Sequence, residues 1–331
     1  MSQSEHQVTV LTANYTNLPL KEQLGNITVH RIPCKNRFLF TIKAISLATE
    51  LASDHDVIHT TTYNAALPAW MASRRTRKPV LLTVHEYWGH LWWKLPYLNP
   101  AMRLLFWTYE QIILRLPFHS MVAVSKFSKQ RLHERFPRRS IKVIYNGQAP
   151  LSSSMNERSN RYLFIGRLGV SKGIDLLIPA LKIATEKHGL SFNLVIPQKP
   201  PKIYKMLTKT LHHAIKEGKI QIHHDVEDEA LQVLLGQAKA VLIPSVTEGF
   251  GFVAAEASAM GCPIIHSGLG ALDEVASGQV IVFKPYSPQG LVDALLRAEQ
   301  GEFDEVAPII HPMETMVTQY RRAYEALAQG H

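Results

Sequence analysis

Two carboxylates, Glu248 and Glu256, stand eight residues apart in the stretch 241–266, VLIPSVTEGFGFVAAEASAMGCPIIH. Gly249 and Gly251 lie between them and allow backbone to approach a ligand closely. Carboxylates accept hydrogen bonds from hydroxyls, and the free amides of a first helical turn favour oxygen-rich, anionic groups. Carboxylates for sugar hydroxyls and amides for phosphate together make the chemistry of a sugar-nucleotide pocket. A second group carries the complementary charge. Gly166 closes the apolar run 162–165, and Arg167 and Lys172 follow, five residues apart, with Gly173 next. A strand ending in glycine permits a sharp turn, so both cations converge on one point beyond the strand. Arginine offers paired contacts to phosphate and lysine a point charge.

The elements that must hold these residues follow from pattern. Val241, Leu242 and Ile243, closed by Pro244 and Ser245, read as a buried parallel strand. A helix through Ala254, Ala255, Glu256, Ala257 and Ala259 stops at Gly261, and Pro263-Ile264-Ile265 opens another strand. In open α/β sheets, ligands bind at the carboxyl ends of such strands. The second half adds strands at 162–165, 193–196, 219–223 and 280–283. Its helices fall at 174–188, 204–217, 228–238 and 288–298. The first half alternates likewise, with strands at 7–13, 27–32, 56–60, 79–84, 121–124 and 141–144. Helices are expected at 40–51, 65–72, 101–116 and 127–136. Alternation predicts a parallel sheet covered by helices on both faces, in an α/β fold. Residues 146–150 and the serine-rich stretch to 159 read as a linker, and 313–327 as a closing helix.

The E-x7-E spacing sits among Pro244-Ser245, Gly249-Phe250-Gly251-Phe252 and Gly261-Cys262-Pro263. In that setting it closely resembles the motif of retaining GT-B glycosyltransferases, particularly family 4 (glycosyl transferases group 1). Gly166-Arg167-Leu168, followed by Lys172-Gly173, resembles the same family's phosphate-binding element. The resemblance covers the whole chain. It implies two Rossmann-like domains facing each other across a cleft. These would be an acceptor-side domain at 1–148, a nucleotide-sugar-binding domain at 149–312, and a helix at 313–331 crossing back to the first.

The family's roles carry over residue by residue. Arg167 and Lys172 would neutralise the donor diphosphate and stabilise it as a leaving group. Glu256 would hold the ribose hydroxyls. Glu248, Gly249 and the amides around Phe250, Gly251 and Phe252 would hold the donor sugar and phosphate, beside the turn at Gly166. His85, in Thr83-Val84-His85-Glu86, resembles the first-domain histidine that faces the donor sugar. The implied reaction is a retaining, metal-independent transfer from a UDP- or GDP-linked sugar, with no cofactor. In the front-face mechanism proposed for such enzymes, the leaving phosphate helps to deprotonate the acceptor. The acceptor would be a glycan or lipid-linked molecule, or a cell-surface glycan precursor. The chain departs from the family pattern in three places. Residues 6–12 resemble the family's second strand, so the usual first strand and glycine-rich loop are expected upstream. Residues 196–200 and 222–225 stand where glycines are usual. These departures support a second reading, a degenerate GT-B protein serving as a nucleotide-sugar-binding or partner subunit.

Composition excludes other classes. At 331 residues, 46% hydrophobic and 19% charged, the chain suits two globular domains rather than disorder. Every apolar run is too short to span a bilayer, and no signal segment is apparent, so a cytoplasmic location is expected. Two cysteines, Cys34 and Cys262, have no metal-ligand spacing. The net charge of +9 is spread thinly, with no nucleic-acid-binding pattern beside it, so nucleic acid is not expected as a partner. His85-Glu86-Tyr87-Trp88-Gly89-His90 only superficially resembles a zinc-protease motif. The second histidine, five residues on, would fall about 140° around a helix from the first. Asp54-His55-Asp56 reads as a solvated turn before a strand rather than a metal site. Residues 90–119 interleave Trp92, Trp93, Tyr97, Trp107 and Tyr109 with Lys94, Arg103 and Arg115. That mixture suits either peripheral contact with the inner face of a membrane or a helix of the first domain that packs Leu104, Leu105, Trp107, Ile112 and Leu114 into its core.

Overall fold

A computed structural model of the protein describes residues 6–16, 18–95, 98–148 and 158–330. Of the expected features, Tyr97 and most of the linker lie outside these residues. The chain divides into two compact units, Met1–Gly147 with Met313–His331, and Gln148–Pro312.

In the first unit, β1 (Val8–Asn14), β2 (Lys21–Leu24) and β3 (Ile27–Pro33) precede α1 (Arg37–Ser53), whose N-terminus is capped by Asn36. Then come β4 (Ile58–Thr61), α2 (Ala66–Thr76), β5 (Val80–Val84), α3 (Pro100–Arg115), β6 (Ser120–Ala123), α4 (Lys126–Arg135) and β7 (Ile141–Val143). Every residue of β5 is buried. Val80, Leu82 and Val84 pack with Ile113, Leu114 and Leu132 on one side. Leu81 packs with Val122 and Ile144 on the other, as a strand covered on both faces requires.

The single sheet expected for this half is two sheets. One has the order β1-β3-β2, with β2 antiparallel to β3; the other, β4-β5-β6-β7, is parallel throughout. β1 and β4 are thus both edges, and they line one groove with Thr9, Leu11, Ile58 and Thr60. Its floor is Ala44 and Ala48 of α1 and Ala69 and Ala72 of α2. The division arises because no described strand pairs with both β1 and β4.

The second unit runs β8 (Arg161–Ile165), α5 (Ile174–His188), β9 (Ser191–Val195), α6 (Pro201–Thr210), α7 (His212–Lys216), β10 (Ile220–His223), α8 (Asp228–Gln237) and β11 (Val241–Ile243). It continues with α9 (Phe252–Ala259), β12 (Ile264–His266), β13 (Gly278–Val282), α10 (Pro288–Glu299) and β14 (Asp304–Val306). The helix expected at 204–217 is two helices divided at Leu211, which is buried. Seven strands form one sheet in the order β10-β9-β8-β11-β12-β13-β14, parallel but for β14. Strand order reverses between β8 and β11, and the carboxyl ends of strands at such a reversal form a natural ligand crevice.

The chain then returns to the first unit as α11 (Met313–Gln329). Tyr320 and Ala323 of α11 pack on Leu81, Val122 and Ile144. The Tyr320 hydroxyl lies 2.9 Å from Thr83 Oγ1, and His59 Nε2 lies 2.8 Å from the same atom. The Tyr324 hydroxyl lies 2.7 Å from His59 Nδ1.

Candidate functional site

Beyond β8, Gly166 turns the chain, its N–H donating to the Val195 carbonyl at 3.1 Å. A single 3-10 turn, Val170–Lys172, then swings Lys172 toward the loop that follows β11. Gly173 makes that approach possible. It has φ +67°, and a Cβ there would collide with the Pro244 carbonyl. The two loops are tied by the Val246 N–H, which donates to the Ser171 carbonyl at 2.9 Å.

Lys172 Nζ donates to Glu248 Oε1 at 2.6 Å, and Ser245 Oγ donates to the same oxygen at 2.7 Å. The two ionic side chains are only 24% and 12% exposed, so this contact is less screened than a surface pair. The other cation is different. Arg167 is exposed, and its guanidinium makes no ion pair or hydrogen bond with a described residue. It is free to meet an anion.

Glu248 leads into α9, whose N-cap, Gly251, has φ +96° and offers no side chain to the first-turn amides. Phe250 is buried and Phe252 is 50% exposed, with their rings 5.1 Å apart. Glu256 lies in the second turn of α9, half-buried. Burial pushes its carboxyl pKa up, and the Asp228 charge adds to the effect. Such a carboxylate gains by accepting hydrogen bonds from a ligand's hydroxyls. The departures at 196–200 and 222–225 also meet. His224 Nδ1 lies 2.7 Å from the Ile196 carbonyl oxygen and Nε2 lies 3.1 Å from the Tyr204 hydroxyl, beyond β9 and β10.

The structure therefore brings Lys172 and Glu248 into contact, with Gly166, Arg167, Gly249, Phe250, Gly251, Phe252 and Glu256 on the adjoining turns and helix. Ser245, which sequence reasoning passed over although Pro244-Ser245 marks the strand end, joins this contact through Glu248. In the first unit, His85 directly follows β5; its side chain is exposed, yet the protein around it removes enough water to lower its imidazole pKa, favouring the neutral ring near pH 7. The loop after it meets Glu110 of α3, a carboxylate hidden in the apolar run 104–114. Burial raises the Glu110 pKa against the opposing effect of its hydrogen bonds. Among the described residues, no three His, Cys, Asp or Glu side chains converge as metal ligands.

Residues 150–311 match the model of glycosyl transferases group 1, and residues 1–148 that of glycosyltransferase family 4. An uncharacterized glycosyltransferase of Methanocaldococcus jannaschii is 28% identical over 305 residues, covering 83% of this chain and 75% of that protein. The O-antigen biosynthesis glycosyltransferase WclY of Escherichia coli is 23% identical over 316 residues, 89% of this chain and 86% of its own. Among solved structures, sucrose-phosphate synthase of Thermosynechococcus elongatus superposes with a TM-score of 0.78 at 17% identity, covering 98% of this chain and 90% of that one. HepE of Anabaena, in complex with UDP and glucose, gives 0.71 at 17% identity, over 97% and 100%. With one glycosyltransferase model over each half and the architecture of two Rossmann-like domains, the chain belongs to the group 1 glycosyltransferases of the GT-B fold and is a sugar-transferring enzyme.

Proposed function

We propose that this enzyme moves a sugar from a nucleoside diphosphate donor to an acceptor with retention of anomeric configuration. The observation that carries this reading is the Lys172–Glu248 contact at the β8/β11 reversal, beside the uncapped N-terminus of α9. Bond cleavage puts negative charge on the departing diphosphate. Arg167 and Lys172 supply fixed positive charge there, which stabilises the transition state more than the ground state. Glu248, released from Lys172 when phosphate binds, accepts hydrogen bonds from sugar hydroxyls. Glu256 does the same for ribose. Neutral His85 is assigned by the family resemblance as a hydrogen-bonding group toward the donor sugar. UDP is the preferred nucleotide in this reading, because the structural neighbour HepE binds UDP with glucose. No metal ion or cofactor is invoked.

The acceptor is proposed to be a lipid-linked or cell-surface glycan precursor. Supporting this, Trp93, Leu104, Leu105 and Ile112 are all exposed in the 90–119 segment. Phe38, Leu39 and Ile42 of α1 are exposed as well, and Phe38 stacks on Phe106 of α3. Apolar side chains presented together with cations suit an anionic membrane surface. Membership of an enzyme family disfavours the reading as a binding-only subunit. A panel of UDP- and GDP-linked sugars tests the main proposal, by thermal shift first and then by nucleotide release with NMR of the product anomer. An inverted anomer, or no shift and no release with any donor, would sink it.

A further inference from the structure

The loop that leaves His85 is gripped by one buried carboxylate. Glu110 lies in the third turn of α3, is fully buried, and accepts three hydrogen bonds. The Tyr63 hydroxyl donates to Oε1 at 2.6 Å, the Trp88 N–H to Oε1 at 2.9 Å, and the Gly89 N–H to Oε2 at 2.8 Å. No cation pairs with it among the described residues. Burying an ionised carboxylate without a counter-charge is costly unless hydrogen bonds replace its water. Packing alone would be better served at this position by an apolar side chain.

The donors share one location in the fold. Tyr63 stands two residues beyond β4, and Trp88 and Gly89 stand four and five beyond β5. Loops at the carboxyl ends of neighbouring parallel strands are where open α/β sheets hold ligands. The Tyr63 hydroxyl is also 2.8 Å from the Glu86 carbonyl, and the Tyr109 hydroxyl donates to the Tyr63 carbonyl at 3.2 Å. His85 is thus bracketed, with fully buried Val84 of the sheet on one side and the clamped run 86–89 on the other.

We propose that Glu110 is a positioning residue for sugar transfer: it gathers the loops after β4 and β5 and sets the direction in which His85 points. The inference rests on the reading of His85 as a site residue. Three donors converge on two oxygens, so an acceptor-only group is required. An amide of the same shape would turn an N–H toward another donor and open the clamp.

The full chain tests this with the nucleotide sugar that the donor panel selects, and with UDP alone as the binding probe. Glu110→Gln is expected to lower kcat about 100-fold, the scale of a one-ångström misplacement, while the UDP Kd stays within twofold. Tyr63→Phe, which removes one donor, is expected to lower kcat roughly fivefold. Should Glu110→Gln not fold, Tyr63→Phe still decides the matter. Combining Glu110→Gln with His85→Ala should cost no more than His85→Ala alone, because both changes remove the same interaction. Acrylamide should also quench the tryptophan fluorescence of Glu110→Gln more strongly, since Trp88 and Trp92 follow the clamp. A slow His85→Ala enzyme beside wild-type kcat in Glu110→Gln and Tyr63→Phe would overturn the positioning role alone. Additive losses in the double variant would do the same. A fully active His85→Ala enzyme would overturn the His85 reading and this inference with it.

Discussion

Lys172 and Glu248, 76 positions apart in the chain, meet at 2.6 Å, one from the turn after β8 and the other from the loop after β11. Each is the partner that keeps the other's charge from being stranded in a partly buried crevice. In the proposed reaction a diphosphate would draw Lys172 away and the released Glu248 would turn to hydroxyl donors, so that one ion pair would couple phosphate and sugar binding.

Lys172→Ala and Arg167→Ala should both slow turnover, by about 3 kcal/mol, or roughly 100-fold, if each faces charge that develops on the leaving group. Their stabilities should differ. Lys172→Ala strands Glu248 and should lower Tm, whereas Arg167→Ala removes a guanidinium without a partner and should leave Tm unchanged. Nucleotide-release kinetics and calorimetry on both variants check this; near-normal kcat in Arg167→Ala removes that residue from the mechanism.

Glu256 should reveal itself through pH. Its folded pKa is raised, so the folded state binds more protons than the unfolded one, and stability falls as pH rises through the ordinary carboxylate range. Glu256→Gln should therefore have a higher Tm than wild type at pH 7 without nucleotide. The gap should close below about pH 4, where both states of wild type are protonated. The same variant should bind UDP more weakly. A lower Tm at pH 7 would contradict the burial argument.

Gly173→Ala should destabilise the second unit by more than the ~1–3 kcal/mol of an unfavourable backbone conformation, because the added methyl also meets the Pro244 carbonyl. Gly189→Ala is the control. Its φ of +68° is nearly the same, but the space around it is open, so only that backbone cost of ~1–3 kcal/mol should appear. Chemical denaturation of the two variants gives the comparison, and equal losses would discount the close approach.

Vesicle flotation should find the protein with anionic liposomes at low salt and release it as salt rises. Leu104→Ser with Leu105→Ser should abolish flotation while changing stability by only about 0.5 kcal/mol, since both side chains are exposed. Protein left wholly in the soluble fraction at low salt would redirect the search to a soluble acceptor.

The parts legible in sequence are those whose boundaries carry a chemical mark. β11, α9 and β12 are delimited by Pro244-Ser245, Gly251, Gly261 and Pro263, and the structure keeps each within a residue or two. β2, Lys-Glu-Gln-Leu, and β14, Asp-Glu-Val, are polar edge strands with no apolar run to announce them. The division at Leu211 is hidden because the apolar spacing continues through it. The two sheets of the first unit could not be foreseen from alternation, which orders strands along the chain but does not say which edges pair. In the site, single residues were readable and their contacts were not. The Lys172–Glu248 pair depends on long-range packing, and Glu110 looks like a helix-surface glutamate until the loop folds over it.

The return of α11 makes the first unit a discontinuous domain into which residues 148–312 are inserted. A gene fragment spanning that insertion retains all seven strands of its sheet and should express as an autonomous nucleotide-binding protein. The converse dissection fails. Ending translation near residue 312 strips Tyr320 and Ala323 from Leu81, Val122 and Ile144, opening the first unit's core to water. Late nonsense mutations, which spare every residue of the proposed chemistry, should therefore act as loss-of-folding alleles. A circular permutant joining 331 to the start of the chain would be the way to make the first unit contiguous.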